Sequence, residues 1–319
     1  MSRAARFRRA PGARAGLAVL IALVLVAAFA GLLASDLPLA CRAEGKFYFL
    51  PCVTRPLALA GADNQLLRAS GAWLIAPPIP YGPESQHPGG VTAVLQPPSR
   101  AHLFGTDDRG RDVAARLVHG TRVALAVGLV AVLLYVALGL AVGVTAAMGR
   151  RADLVLGRVI EVGLTFPTLF LLLAIQGLTA TASVVEVGLA IALTQWPHVA
   201  RLVRAEALRA MASPHVEAAR AIGASPARLG IVHVLPLAAS PALVAGAFGV
   251  GQAVLFETAL SFLGFGVPAP TASWGELLGQ AQAAGLPLWL LLPPTGAIAL
   301  TVVACSLVGD GLRRALEET

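Results

Sequence analysis

Four long runs without a single Lys, Arg, Asp or Glu decide what this chain can fold into: Ala15–Ala34, Val123–Met148, Ile231–Phe256 and Leu286–Gly309. At about 1.5 Å per helical residue, each is long enough to cross roughly 30 Å of hydrocarbon. Lipid offers no partner for a bare backbone N–H or C=O, so runs of this kind are helices. A fifth region, Val162–Ala200, is too long for one crossing and is interrupted at Glu186, so Thr179–Glu186 reads as a tight turn between two spans. The sum is six spanning helices in an all-α membrane protein. Composition agrees: 57% of residues are hydrophobic, 13% are charged and the mean hydropathy is +0.76, far from the balance of a water-soluble domain.

The first run has a rival reading as a cleavable signal peptide, with an arginine-rich start and small residues at Ala28 and Ala30. Its apolar stretch is longer than the ~7–15 residues of a signal core, which favours a retained helix. The net charge of +7 invites a nucleic-acid partner, and its distribution argues against one. Arginines cluster before the first span (Arg3 to Arg14), after the second (Arg150, Arg151, Arg158), in the fourth connection (Arg201 to Arg228) and at the end (Arg313, Arg314). The connections around Thr179–Glu186 and Glu257–Pro287 contain no Lys or Arg. That asymmetry is the positive-inside pattern, so both termini and the fourth connection are expected in the cytoplasm. The arginines of the long segment 35–122 do not disturb the assignment, because segments of that length translocate largely regardless of charge.

The expected organisation is a cytoplasmic tail (1–14), a first transmembrane helix (15–35), an extracytoplasmic segment (36–121), a five-helix domain (122–310) and a second cytoplasmic tail (311–319). Within the extracytoplasmic segment, Lys46–Val53 reads as a strand and Ala76–Gly90 as irregular chain with polyproline character. Asp107–Leu125 reads as an amphipathic helix lying in the interface before the second span. Cys41 and Cys52 fall in the exported part, where a Cys41–Cys52 disulfide can form, and their spacing fits no metal motif. Cys305 reads as packing. Gly139 and Gly143 allow close helix packing, with generic membrane-helix composition as the plainer reading.

One connection is not a simple loop. Residues Ala212–Pro236 form a polar, arginine-bearing interruption with a helix–glycine–helix grammar that overlaps the loop 201–230. Ser213–Pro214 reads as an N-cap with proline at the first helical position, Gly223 as the left-handed terminator, and Ser225–Pro226 as a second start. A compact capped helix on a cytoplasmic loop suits docking in a groove of a partner.

Chemistry of its own is scarce. A phosphate-binding Walker loop ends in Gly-Lys-Ser/Thr, whereas the one lysine, Lys46, is followed by Phe47 and lies in the exported segment. The six histidines are scattered, with no pair at metal-ligand spacing, and neither GxSxG nor HExxH occurs. Glu257 is the deepest charged candidate in hydrocarbon, where a charge costs ~2.5–3.5 kcal/mol. It either faces a water-filled path or pairs within the bundle. Gln176, Thr194, Gln195 and Gln252 line such a path or bond between helices.

At these residues the chain resembles a permease subunit of binding-protein-dependent ABC importers, in the dipeptide/oligopeptide/nickel branch. Glu217, Ala218, Ala219, Gly223, Leu235 and Pro236 are similar to the cytoplasmic signature of the family, with His233 where the broad signature has Ile. HLFGTDDRGRDVAARLVHGTRVAL (His102–Leu125), ETALSFLGFGVPAPTASWGELL (Glu257–Leu278) and LVGDGLRRAL (Leu307–Leu316) resemble three further elements of that branch. The exported segment looks similar to the insert of permeases for microcin-C-like peptides. The resemblance implies that Glu217, Ala218, Ala219 and Gly223 form the coupling helix. It implies two cytoplasmic ATPase subunits, a second and different permease subunit, an extracytoplasmic solute-binding protein and a peptide cargo. It also implies a bacterial inner-membrane location and no cofactor in this chain, with ATP and Mg held by the partner subunits. Nickel chelates and peptide antibiotics are carried by similar chains. An ion-coupled secondary carrier is the reading from a different class, and it needs intramembrane ionisable pairs and inverted repeats that do not show here.

Overall fold

The computed structural model describes residues 7, 10–43, 45–86, 93–178 and 183–317. Helices begin where the sequence supplies a first-turn proline or a capping hydroxyl. Helix α1 (Pro11–Ala28) opens on Pro11, whose missing N–H has no intrahelical use there. Helix α2 (Val113–Ala147) is followed by α3 (Arg150–Thr165), α4 (Thr168–Gly177) and α5 (Val184–Met211). Helix α5 opens on a capping box: Ser183 Oγ accepts the Glu186 N–H at 3.2 Å, and the Glu186 carboxylate accepts the Ser183 N–H at 2.6 Å. The charge that interrupts the apolar pattern at Glu186 therefore starts a helix. The rest of the expected turn, 179–182, lies outside the described residues. Then come α6 (Pro214–Ala221), α7 (Leu235–Phe262), α8 (Trp274–Ala283) and α9 (Leu288–Glu317).

By length and apolarity, α1, α2, α9 and the segment Pro226–Phe262 containing α7 can each cross a membrane, and α3 with α4 qualifies only as a pair bent by 85°. The sequence starts its third span at Val162, inside α3, but the chain bends at Phe166–Pro167. A residue before proline avoids the helical region, and Phe166 is extended at φ −84°, ψ 131°. Helix α5 has 28 residues, but Glu186, Gln195, His198 and Arg201 dilute its apolar character. The criterion thus gives four crossings, or five with the bent pair.

The chain divides into two compact units. The first comprises Met1–Leu20, Val127–Phe256 and Thr301–Thr319. Its core is built from small and β-branched side chains, among them Val132, Val199, Val203, Ala207, Val234 and Ala238. Gly139 and Gly143 let α2 approach α5 closely. A Cβ built on either would sit 2.7 Å from Val199 Cβ or Val203 Cβ respectively.

The second unit comprises Ile21–Ala126 and Glu257–Leu300. It holds a small antiparallel sheet of strands β1 (Ala40–Ala43), β2 (Lys46–Phe49) and β3 (Trp73–Ile75), in the order β2-β1-β3. Cys41 stands opposite Tyr48 on one side and Leu74 on the other, and this row packs on Leu37, Cys52, Leu59 and Leu67. The strand read at Lys46–Val53 stops at Phe49, because Leu50 takes φ 50° and Pro51–Thr54 coils into one helical turn. The expected Cys41–Cys52 bridge is not formed. Both are free, buried thiols that fill this apolar cluster, and burial pushes both thiols up. The helix read over Asp107–Leu125 begins only at Val113: 107–112 is not helical, and 113–125 is the start of α2, which runs unbroken for 35 residues. Val113 packs there with Leu277, Ala281 and Leu290.

Candidate functional site

The fourth connection folds, within the first unit, as a short helix with one anchored and one open face. Pro214 opens α6 at its first position. The Ser213 hydroxyl does not cap the helix as the sequence suggests. It donates instead to the Ala210 carbonyl, and Glu217 supplies negative charge to the first turn. The helix ends at Gly223, at φ +87°, where the Ala224 N–H reaches back to the Ala219 carbonyl at 3.1 Å. No atom lies within 4 Å of a Cβ built on Gly223, so backbone conformation rather than space demands glycine. Ser225 caps the next turn, accepting the Arg228 N–H at 3.3 Å, and a π-helical stretch, Leu229–Val234, leads into α7.

Val216, Ala219 and Leu229 are buried and pack with Met148, Met211 and Ala224. Glu217, Ala218 and Gly223 are exposed, and Ile222 is 87% exposed. Of the residues read as one coupling set, Glu217, Ala218 and Gly223 share the open side, while Ala219 is part of the anchor. Leu235 is half-buried and Pro236 exposed, and both belong to the first turn of α7, beyond the π-helical stretch.

The residues read as a polar path divide between the two units. Glu257 is fully buried in α7, in the second unit, and its Oε1 accepts both the Ser261 and the Ser273 hydroxyl at 2.8 Å. Ser273 in turn accepts the Gly275 N–H at 3.1 Å and caps α8. Both hydroxyls come from the second unit itself. In the first unit Gln195 is buried on α5 and Gln252 exposed on α7, with no hydrogen bond between them among the described residues. A cavity of about 680 Å³ lies among the ends of α5, α7 and α9, lined by residues such as Leu202, Arg209, Ser240, Phe248 and Arg313. Neither Gln195 nor Gln252 lines it.

The second unit holds a buried ion network that the motif GTDDRGRDVAAR builds locally. Asp107 Oδ1 accepts the N–H groups of Arg109 and Arg111, both at 2.9 Å, and Oδ2 accepts Arg111 Nε at 2.7 Å. Asp112 caps α2 through the Ala115 N–H at 2.7 Å and pairs with His102 Nδ1 at 2.8 Å. The His102 ring stacks on Tyr81, with centroids 4.5 Å apart. Arg116, with a fully buried side chain, donates to the Pro83 carbonyl at 2.8 Å and to Glu276 of α8, with Asp107 Oδ2 at 3.6 Å from its Nε. Arg111 donates to the other Glu276 oxygen at 3.2 Å. Asp108, 40% exposed, adds a third carboxylate 3.9 Å from Arg111, and the largely buried network ties the start of α2 to a helix more than 150 residues later. Desolvated charges persist only when paired in this way.

Residues 136–319 match the profile of the binding-protein-dependent transport system inner membrane component. The chain belongs to that family. Residues 2–40 match the N-terminal TM domain of oligopeptide transport permease C. A peptide transport system permease protein of Brucella suis biovar 1 is 42% identical over 70% of this chain and 75% of its own length. The dipeptide transport system permease protein DppC of Alkalihalophilus pseudofirmus is 37% identical over 70% of this chain and 74% of its own. Among solved structures, an inward-facing form of the MetNI methionine ABC transporter aligns with a TM-score of 0.54 and 20% identity, covering 63% of this chain and 96% of that one. At that identity it speaks to the fold alone.

As an inner membrane component of this family, the chain is a multi-pass, all-α transport subunit. Two of its features escape a reading of the sequence. Ile222 ends a helix-forming stretch whose pattern gives no sign of its 87% exposure. Arg116 and Glu276 lie in separate motifs, and their pairing across 160 positions leaves no local pattern. The available signal was the charge balance: GTDDRGRDVAAR and SWGE bring unpaired charges to helix starts bordering hydrocarbon, and such charges need one another.

Proposed function

We propose that the protein is the membrane-spanning subunit of an ATP-driven importer of peptides. The observation that carries this is α6, anchored through Val216 and Ala219 and presenting Glu217, Ala218 and Ile222 outward, in a chain whose relatives are named peptide and dipeptide permeases. A helix held on one side and open on the other transmits the movement of a groove into which it docks. The groove belongs to two cytoplasmic ATPase subunits, which hold ATP and Mg. A second, different permease subunit completes the path, and an extracytoplasmic binding protein delivers the peptide. The protein crosses the bacterial inner membrane six times, with α5 and the α3–α4 pair sheltered by neighbouring helices. Both termini and α6 are cytoplasmic, as the arginine distribution requires.

The test is uptake of labelled peptide into vesicles containing this chain, its ATPases and its partner permease. Uptake should require ATP and the binding protein, and Gly223→Asp should abolish it while the chain stays inserted. Full uptake by that variant in a complex that still holds its ATPases counts against the docking role. Uptake driven by an ion gradient without ATP replaces the reading with a secondary carrier.

A further inference from the structure

An antiparallel sheet with one wet face alternates apolar residues inward and polar residues outward. The sheet of the second unit keeps only half of that rule. Its inner row, Cys41, Tyr48 and Leu74, packs on the small core. Its outer face carries Phe47, Phe49, Trp73 and Ile75, which are 61%, 71%, 55% and 49% exposed. They stand in two cross-strand rungs, Phe49–Ala40–Ile75 and Phe47–Arg42–Trp73. The Phe47 and Trp73 rings stack at 6.1 Å across the central strand, so the four side chains form one surface. Exposed Arg42 lies within it, and no carboxylate occurs among the described residues of the three strands. An apolar patch of this kind is not left in water without a use.

The position of the sheet says what covers it. Just past the end of α1, Ala34 bridges to Ile79, and the Ile79 N–H donates to the Leu33 carbonyl at 2.9 Å. Ile75 of β3 is four residues from that bridge, a reach of at most about 13 Å. Exposure of large apolar side chains also runs on from the membrane-crossing helix. Val24, Leu25 and Phe29 are 56%, 50% and 50% exposed, and Phe29 shares a groove with Val53 of the exported segment. Aromatic rings with an arginine among them match the chemistry of the headgroup region, where rings sit at the acyl boundary and cations meet phosphate.

We infer that the outer face of the β1–β3 sheet rests on the lipid headgroup layer of the leaflet next to the end of α1. Phe47, Phe49, Trp73 and Ile75 reach the acyl boundary, and Arg42 contacts lipid phosphates. The sheet is then a membrane-surface foot that fixes the exported segment against the bilayer.

The three native cysteines are buried, so a cysteine introduced on this face takes a polarity-sensitive fluorophore selectively. The full-length protein carrying labelled Phe49→Cys, and separately Trp73→Cys or Ile75→Cys, is reconstituted in vesicles of phosphatidylethanolamine and phosphatidylglycerol. Variants whose thermal midpoint matches the parent are read. Lipids with a nitroxide high on the acyl chain should remove most of the emission, and aqueous iodide little of it. Strong iodide quenching without nitroxide quenching overturns the inference. Protection from both quenchers overturns it as well, and assigns the face to contact with a second copy of the chain.

Discussion

Glu276→Gln is the most informative single change, because it keeps the shape of the side chain and removes the carboxylate that pairs with both Arg111 and Arg116. The side chains of Arg111 and Arg116 are 3% and 0% exposed, and that of Glu276 is 18% exposed. With Glu276 neutral, Arg111 keeps Asp107 and, at 3.9 Å, the 40%-exposed Asp108, but Arg116 keeps only Asp107 at 3.6 Å and loses its close partner. Breaking a buried pair in this way costs about 3–5 kcal/mol, and the partial exposure of Glu276 places this site at the lower end, about 3 kcal/mol. The exposed pair Arg158–Glu161, with side chains 79% and 58% accessible, provides the comparison. Losing it costs at most about 0.5 kcal/mol. Buried Cys41, Cys52 and Cys305 make a thiol-reactive dye a direct reporter of unfolding on heating in detergent. At about 2–4 °C per kcal/mol, Glu276→Gln should lower the midpoint by about 6–12 °C and Glu161→Gln by about 1–2 °C. Adding Arg116→Gln to Glu276→Gln rebalances the charge and should recover part of the loss. Equal shifts for Glu276→Gln and Glu161→Gln, or a double variant as weak as the sum of its singles, refute the charge-balance argument.

Ile222→Ser should leave the thermal midpoint unchanged, since the side chain touches solvent, and weaken binding of the ATPase subunits about 10- to 100-fold if docking buries it; pull-down titration of the complex measures this. Gly139→Ala puts a methyl 2.7 Å from Val199 Cβ, an overpacking that should cost about 1–3 kcal/mol. Val199→Ala in the same chain should return part of that loss in the same melting assay. Asp108 lies beside Asp107 in a partly buried site, and burial first, then that neighbouring charge, raises its carboxyl above the usual range. The folded state therefore holds this proton more tightly than the unfolded state. Its contribution to stability falls as pH rises through the ordinary carboxylate range toward the raised value. Asp108→Asn should stabilise the protein at neutral pH, with the difference disappearing in acid; a variant less stable than the parent at neutral pH contradicts the assignment.

Sequence patterns were informative wherever the physics is local. Apolar runs located α1, α2, α7 and α9, and proline and glycine placed the bounds of α6, because both signals are properties of neighbouring residues. The bend at Phe166–Pro167 was equally local and was overridden by the apolar content around it. The sheet was half-read: Lys46–Phe49 shows β-rich composition, whereas Ala40–Ala43 and Trp73–Ile75 are too short to announce themselves and become strands only by pairing. Glu257 could be ranked as unusual but not assigned, since its partners Ser261 and Ser273 come from a neighbouring turn and from the far end of the following connection. The network around Arg116 was illegible for the same reason, at a larger separation.

Helix α2 spans 35 residues, or about 52 Å, against roughly 30 Å of hydrocarbon. Its apolar run starts only at Val123, so the stretch bearing Arg116 stands about 10 Å clear of that boundary. The insertion machinery therefore meets a greasy rod whose awkward cations never have to pass through oil as part of the resident span. Delivery to the bilayer and the later snapping together of charges above it are distinct steps. A chain defective in the second should arrive with its crossings intact and be destroyed afterwards, by quality-control proteases acting on finished but unlatched molecules.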